Sequence, residues 1–228
     1  MKKLALVMAV SVLAACGSDQ SVKVENTNQK ASYAIGYRTG QQMQGMDDLE
    51  LDQFLAGLRA GAEGKSDGLA LSEEDMNQAI ADYQQEKISE MAKGAQDEGD
   101  SFRAENAKKD GVTTLDSGLQ YEVLTAGEGG AKPTLDDTIV AHYHGTLIDG
   151  TVFDSSVERG APATFPLAGV IKGWQDALQL MSVGDKWRIV LPPELAYGER
   201  GTGAIPPGAT LVFEVELVDI KPQAESQD

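Results

Sequence analysis

Apolar residues return at helical spacing from Lys30 to about Asp110 and at every second position after Gly111, which predicts a helical half followed by a β half. Tyr33, Ile35, Tyr37 and Met43 suit a first helix. Leu51, Phe54, Leu55 and Leu58 suit a second, closed by Gly61 or Gly64. The start of a third is marked by Ser72, whose hydroxyl can cap the amide of Asp75, with Leu71 and Met76 placed as a hydrophobic staple. Its apolar stripe runs through Met76, Ile80, Tyr83, Ile88, Met91, Ala95 and Phe102. Continuous to Asp110, this helix would be about 58 Å long, although Gly94 and Gly99 each weaken it by about 1 kcal/mol relative to alanine. A small domain cannot enclose such a length. The helix is therefore either an exposed spacer or one of a pair, and its stripe reads as packing between helices.

In the second half, Leu119, Tyr121 and Val123 alternate with Gln120 and Glu122, and Ile139, Ala141, Tyr143, Gly145 and Leu147 with Thr138, His142, His144 and Thr146. Trp187, Ile189 and Leu191 alternate with Lys186 and Arg188; Leu211, Phe213, Val215 and Leu217 alternate with Glu214 and Glu216. Each of these strands is expected to have one wet face. Asp149-Gly150 marks a hairpin turn, because both residue types tolerate positive φ. Ile171, Trp174, Leu178 and Met181 recur at three- and four-residue spacing, which predicts one short helix, with Gly184 as its stop. The fold class is α+β: N-terminal helices, a long connecting helix, and an antiparallel sheet closing over one short helix.

Ahead of these elements, Lys2 and Lys3 precede an apolar run from Leu4 to Leu13 and then small residues, the layout of a secretory signal spanning 1–15. That run is shorter than the roughly 20 residues a membrane-crossing helix needs. Cys16, the only cysteine, follows Leu13-Ala14-Ala15, an arrangement that resembles the acylation site of bacterial lipoproteins. The alternative is an ordinary secreted protein cleaved after Ala15. Either way no intramolecular disulfide can form. Residues 17–29 are polar and aperiodic and read as a tether, so the expected segments are 1–15, 16–29, 30–114, 115–222 and a disordered tail, 223–228. A net charge of −17 argues against surfaces that neutralise phosphates, so nucleic acid is not an expected partner.

Three strings carry a family likeness: HYHGTLIDGTVFDSS, VIKGWQDALQLMSVGDKW and PPELAYGERGTGAIPPGATLVFEVEL. In order, and nearly without interruption from about Ser117 to Ile220, they resemble the FKBP-type peptidyl-prolyl cis/trans isomerases. The helical half, with KASYAIGYRTGQQM and LSEEDM, resembles more loosely the dimerisation arm of macrophage infectivity potentiator-like periplasmic members. The resemblance implies an apolar pocket with Trp174 as its floor and Tyr143, Phe153, Phe165, Val170, Ile171, Tyr197, Ile205 and Phe213 as its walls. It makes Asp154 the acidic residue beside the pocket and Arg159 its ion-pair partner. The Tyr197 hydroxyl and the Ile171 N–H become donors to substrate carbonyls. Two departures stand out. Ala163 replaces an aromatic, and the loop from Gly198 to Ala204 is a residue short, with Ala204 in place of a branched aliphatic; both bear on peptide preference and macrolide affinity.

What the resemblance further implies is isomerisation of proline-containing exported polypeptides as they fold, by a homodimer held to the periplasmic face of the cell envelope, with the outer membrane expected from Gly17. Macrolides are possible inhibitors. No cofactor is expected, since the reaction makes and breaks no bond. His142 and His144 lie two apart on one strand face, but with no third histidine and no second cysteine a metal site is not expected. The competing readings are a holdase chaperone that cradles clients in its helical arms, and an adhesion or scaffold protein that uses the fold for display.

Overall fold

The computed structural model describes residues 22–46 and 48–221. The signal segment 1–15, Cys16 and the tail 223–228 lie outside the described residues. By its internal contacts the chain separates into two compact units, Met1–Ala70 and Leu71–Asp228. Among the described residues, no helix is long and apolar enough to cross a membrane.

The first unit contains α1 (Thr27–Gln42) and α2 (Leu51–Ala62). The helix begins three residues earlier than the apolar pattern indicates, inside the segment 16–29 read as a tether. A capping box sets its start: the Asn26 side chain accepts from the Gln29 N–H at 2.9 Å, and Gln29 Oε1 accepts from the Asn26 N–H at 3.2 Å. Neither helix buries a residue, and Tyr33, Ile35, Tyr37, Leu51, Leu55 and Leu58 are all exposed.

The second unit opens with α3 (Glu73–Asn106), 34 residues and about 51 Å long. Ser72 caps it as expected, accepting from the Asp75 N–H at 3.0 Å, and Glu73, Glu74 and Asp75 place negative charge at its N-terminal end. The helix runs unbroken through Gly94 and Gly99. Its buried residues are not the expected stripe, of which Ile80 and Met91 are more than half exposed, but Ala92, Gly99 and Asn106. These recur every seventh position and lie on one face. Small residues there let the helix approach the sheet, which is why α3 groups with the β half.

Among the described residues the sheet has seven strands: β1 (Val112–Thr114), β2 (Gln120–Thr125), β3 (Thr138–Leu147), β4 (Val152–Ser155), β5 (Ala163–Pro166), β6 (Lys186–Leu191) and β7 (Leu211–Lys221). Their order is β1-β2-β6-β7-β3-β4, with β5 also paired to β3, and every pairing is antiparallel. β3 and β4 form the hairpin expected at Asp149-Gly150, with Gly150 at φ 88. One face carries the core: Ile139, Ala141, Ile189, Leu191, Leu211 and Leu217 are each at most 1% exposed, and each of the leucine and isoleucine side chains contributes about 1.5–3 kcal/mol on burial. The other face is not wet throughout. Gln120, Val190 and Val212 are successive cross-strand neighbours and all are buried; Gln120 bonds to Asn106 and to the Arg103 carbonyl of α3, both at 2.9 Å.

The short helix is α4 (Lys172–Leu178). It ends well before Gly184, whose positive φ serves a later turn. Two glycines bring the layers together. A Cβ on Gly173 would stand 2.7 Å from a Leu191 methyl, so α4 lies directly on the sheet, and a Cβ on Gly145 would stand 2.8 Å from the rings of Phe153 and Phe213.

Candidate active site

Against the core face, three rings surround the indole of Trp174, and a fourth packs behind one of them. Tyr143, Phe213 and Phe165 meet it edge-on, with centroids 5.2, 5.4 and 6.0 Å away and interplanar angles of 81, 78 and 88°. Phe153 packs at 87° on Phe213. Edge-to-face packing places positive ring edges on negative faces, a preferred arrangement of aromatic pairs. Each ring comes from a different element: Tyr143 from β3, Phe153 from β4, Phe165 from β5, Trp174 from α4 and Phe213 from β7.

The rings line a pocket of about 520 Å³, completed by Val170 and Ile171 before α4 and by Tyr197 and Thr202–Ile205 from a loop. Trp174 is 4% exposed, yet it forms part of the lining. The indole is covered by its neighbours on the sheet side and offered to the cavity on the other. Among the described residues its Nε1 is buried without a hydrogen-bond partner, as is that of Trp187, so an orphaned indole N–H is not peculiar to the pocket. The Ile171 N–H, at the N-cap of α4, and the Tyr197 hydroxyl have no hydrogen-bond partner among the described residues.

At one edge the cavity meets a polar triad. Arg159 donates to the Tyr143 hydroxyl at 2.6 Å and pairs with Asp154, and the Tyr143 hydroxyl donates to Asp154 at 2.6 Å. The guanidinium also lies 5.5 Å from the centre of the Tyr143 ring. Partial burial works to raise the Asp154 carboxyl, but the hydrogen bonds from Tyr143 and Arg159 outweigh it and hold the group below its ordinary value. Burial, followed by the bond to Asp154, raises the Tyr143 phenol. Asp154 is therefore an anion and Tyr143 a neutral donor throughout the neutral range. The side chains of Asp154 and Arg159 are 46% and 51% exposed, so solvent screens the pair and it adds little to the fold.

The structure brings Tyr143, Phe153, Asp154, Phe165, Val170, Ile171, Trp174, Tyr197, Ile205 and Phe213 to a single cavity, and Arg159 to its edge. Gly169, Thr202 and Gly203 also line it; they offer backbone and small side chains that periodicity cannot single out. Gly145 was read only as a position on an apolar face, and the clash a Cβ would make there depends on distant rings. Ala163 packs against the core and is not part of the lining. His142 and His144 each face a serine, Ser156 at 3.3 Å and Ser155 at 3.0 Å. A shallower concavity of about 630 Å³ beside α3 sets Phe102 and Ile148 among Asp97, Glu98 and Asp149, without converging rings.

This arrangement can hold a small apolar ring and orient nearby carbonyls, and nothing in it resembles a nucleophile paired with a base. Comparison with known proteins points the same way. The profile of the FKBP-type peptidyl-prolyl cis-trans isomerases matches residues 129–218, and that of the domain amino terminal to FKBP-type peptidyl-prolyl isomerase matches residues 28–123. The FKBP-type 22 kDa peptidyl-prolyl cis-trans isomerase of Escherichia coli K12 is 47% identical over 84% of this chain and 94% of its own. The outer membrane protein MIP of Legionella longbeachae is 38% identical over 96% of this chain and 97% of its own. The crystal structure of FkpA from Escherichia coli superposes with a TM-score of 0.67 at 39% identity, over 89% of this chain and all of that one.

Proposed function

The chain belongs to the FKBP-type peptidyl-prolyl cis-trans isomerases, and from that membership we propose that the cavity above Trp174 is where X-Pro bonds turn. The observation that carries this reading is the cage of rings around Trp174, open on one side. A planar X-Pro amide resists rotation by nearly 20 kcal/mol because twisting it destroys resonance. The twisted amide has lost charge separation between oxygen and nitrogen. Water solvates the planar form better, so transfer into a pocket of low polarity favours the twisted one. A reduction of about 7 kcal/mol would accelerate exchange about 10⁵-fold without a covalent step. The Ile171 N–H and the Tyr197 hydroxyl hold the flanking carbonyls, and the Asp154 anion, fixed by Tyr143 and Arg159, acts by orientation and field. NMR exchange spectroscopy on a proline-containing peptide tests the assignment. Cis/trans exchange well above the buffer rate, lost in Trp174→Ala while the chain stays folded, supports it; exchange at the buffer rate with the parent rejects it.

The substrates we assign are proline-containing polypeptides that fold after export. This rests on the signal-like segment and the lipoprotein-like Cys16, and on likeness to a relative named as an outer membrane protein. Cys16 would carry the lipid that holds the chain to the envelope; Cys16→Ser should move the protein from the membrane fraction to the soluble one. The exposed apolar residues of α1 and α2 support dimerisation, a second copy covering Tyr33, Ile35, Leu55 and Leu58. The same exposure favours the holdase reading, in which unfolded clients occupy those faces. Light scattering separates the two, because a monomer at micromolar concentration leaves the faces to clients.

A further inference from the structure

One wall of the pocket is a loop, Tyr197–Gly208, which contributes Tyr197, Thr202, Gly203, Ala204 and Ile205. Hydrogen bonds close the loop on itself: Thr202 and Ile205 exchange backbone bonds of 2.9 and 2.8 Å, and the Gly208 N–H donates to the Gly198 carbonyl at 3.0 Å. Its exit from the pocket, however, is held by α3. Gly208, at φ 69, lies against the backbone of buried Ala92, where a Cβ would stand 2.8 Å from the Ala92 Cα and overlap its carbonyl oxygen. Two turns further along α3, Gly99 meets Thr210, and a Cβ on that glycine would stand 3.1 Å from the Thr210 Cβ. Thr210 is 2% exposed, and Arg103 donates to its hydroxyl. Near the tip of the loop, Glu199 and Arg200 share a cleft of about 240 Å³ with Ser89 and Lys93 of α3.

The closeness has a mechanical meaning. Backbone packed against backbone, with no side chain between, leaves a displaced helix no slack to absorb the movement. Gly208 is bonded to Gly198, next to Tyr197, so a shift at Ala92 reaches the wall directly.

We infer that α3 is a positioning element for the isomerase pocket: Ala92 holds the Tyr197–Gly208 wall at Gly208, and Gly99 and Arg103 pin the chain just beyond it at Thr210, linking the helical part of the chain to catalysis. The inference rests on the cavity being the isomerase site. Since Trp174 and its ring neighbours stand on the sheet and α4, loosening the wall weakens substrate capture more than turnover.

The test uses the full chain with Ala92→Gln, which forces volume into the contact, Ala92→Gly, which preserves it, and Arg103→Met, which removes the bond to Thr210. KM and kcat are measured by NMR exchange on a prolyl peptide, with amide hydrogen exchange across residues 198–208. The expected result is KM raised about fivefold in Ala92→Gln with kcat within twofold, faster amide exchange in the loop, near-parent KM in Ala92→Gly and a KM raised about twofold in Arg103→Met. Parent KM and parent loop protection in a folded Ala92→Gln overturn the inference. If that variant does not fold, Arg103→Met decides alone, a parent KM overturning the inference and a raised KM supporting it. A parent chain without catalysis overturns the isomerase reading itself, and is distinguished by failing before any variant is compared.

Discussion

Both compact units carry apolar stripes, at helical spacing in one and at alternate positions along the strands of the other, and put them to different uses. In the sheet unit, β3 and β7 pair over ten residue pairs, and α4 closes over the core so that Trp174 is 4% exposed. In α1 and α2, no residue is buried and Ile35, Tyr37 and Leu51 are each at least 60% exposed. An apolar stripe becomes a core only where the chain itself supplies the opposing surface. Where it does not, the stripe calls for a surface from another molecule, and mutations in the two units should then fail in different ways.

The largest contrast is expected from Trp174→Ala. Removing a buried indole should destabilise the sheet unit by about 3–5 kcal/mol and abolish measurable acceleration of prolyl exchange, as read by thermal unfolding and peptide NMR. The counterpart in the other unit is Leu58→Asp, at a side chain 52% exposed. If a second copy covers this face, the substitution should halve the mass seen by light scattering while leaving peptide turnover within twofold; a mass equal to the parent's would show that this face does not join two copies. A smaller effect is expected of Asp154→Asn. Turnover should fall about tenfold, while the melting temperature stays close to the parent's because the ion pair is half exposed and screened.

The smallest effect concerns pH. Asp154 titrates below its ordinary value of 3.8 in the folded chain. Its ionised form therefore contributes stability that is fully present above the unfolded value and is lost as pH falls through the lower, folded value. Turnover should be level across the neutral range as far as this group is concerned, and decline only in acid below the ordinary carboxylate range. A decline centred near neutrality in the parent, absent from Asp154→Asn, would assign that carboxyl a different role.

Much of this was legible in the sequence. Alternation marks the core faces of β3, β6 and β7, the Ser72 cap marks the start of α3, and the residues singled out in the strings around Tyr143, Trp174 and Tyr197 line one cavity. What escaped had a non-local cause. The capping box at Asn26 and Gln29 carries no apolar signal, so the first helix was started late. Gln120 reads as solvent-facing because the cover provided by α3 is out of sight to a strand's own alternation. Gly99 reads as a helix weakness, since the Thr210 it admits lies more than a hundred residues away. The expected stripe on α3 followed large apolar side chains, whereas close packing against the sheet selected small ones, Ala92 and Gly99.

Catalysis without covalent chemistry requires that the apolar cavity floored by Trp174 prefer a twisted amide to a planar one. Calorimetric titration of the full chain with two prolyl peptide surrogates tests it most directly, one holding its acyl group perpendicular to the plane of the ring nitrogen and the other holding it coplanar. The perpendicular surrogate should bind at least about 100-fold more tightly, as expected for a mimic of the transition state, and Trp174→Ala should erase the difference. Equal affinity for the two surrogates would contradict it.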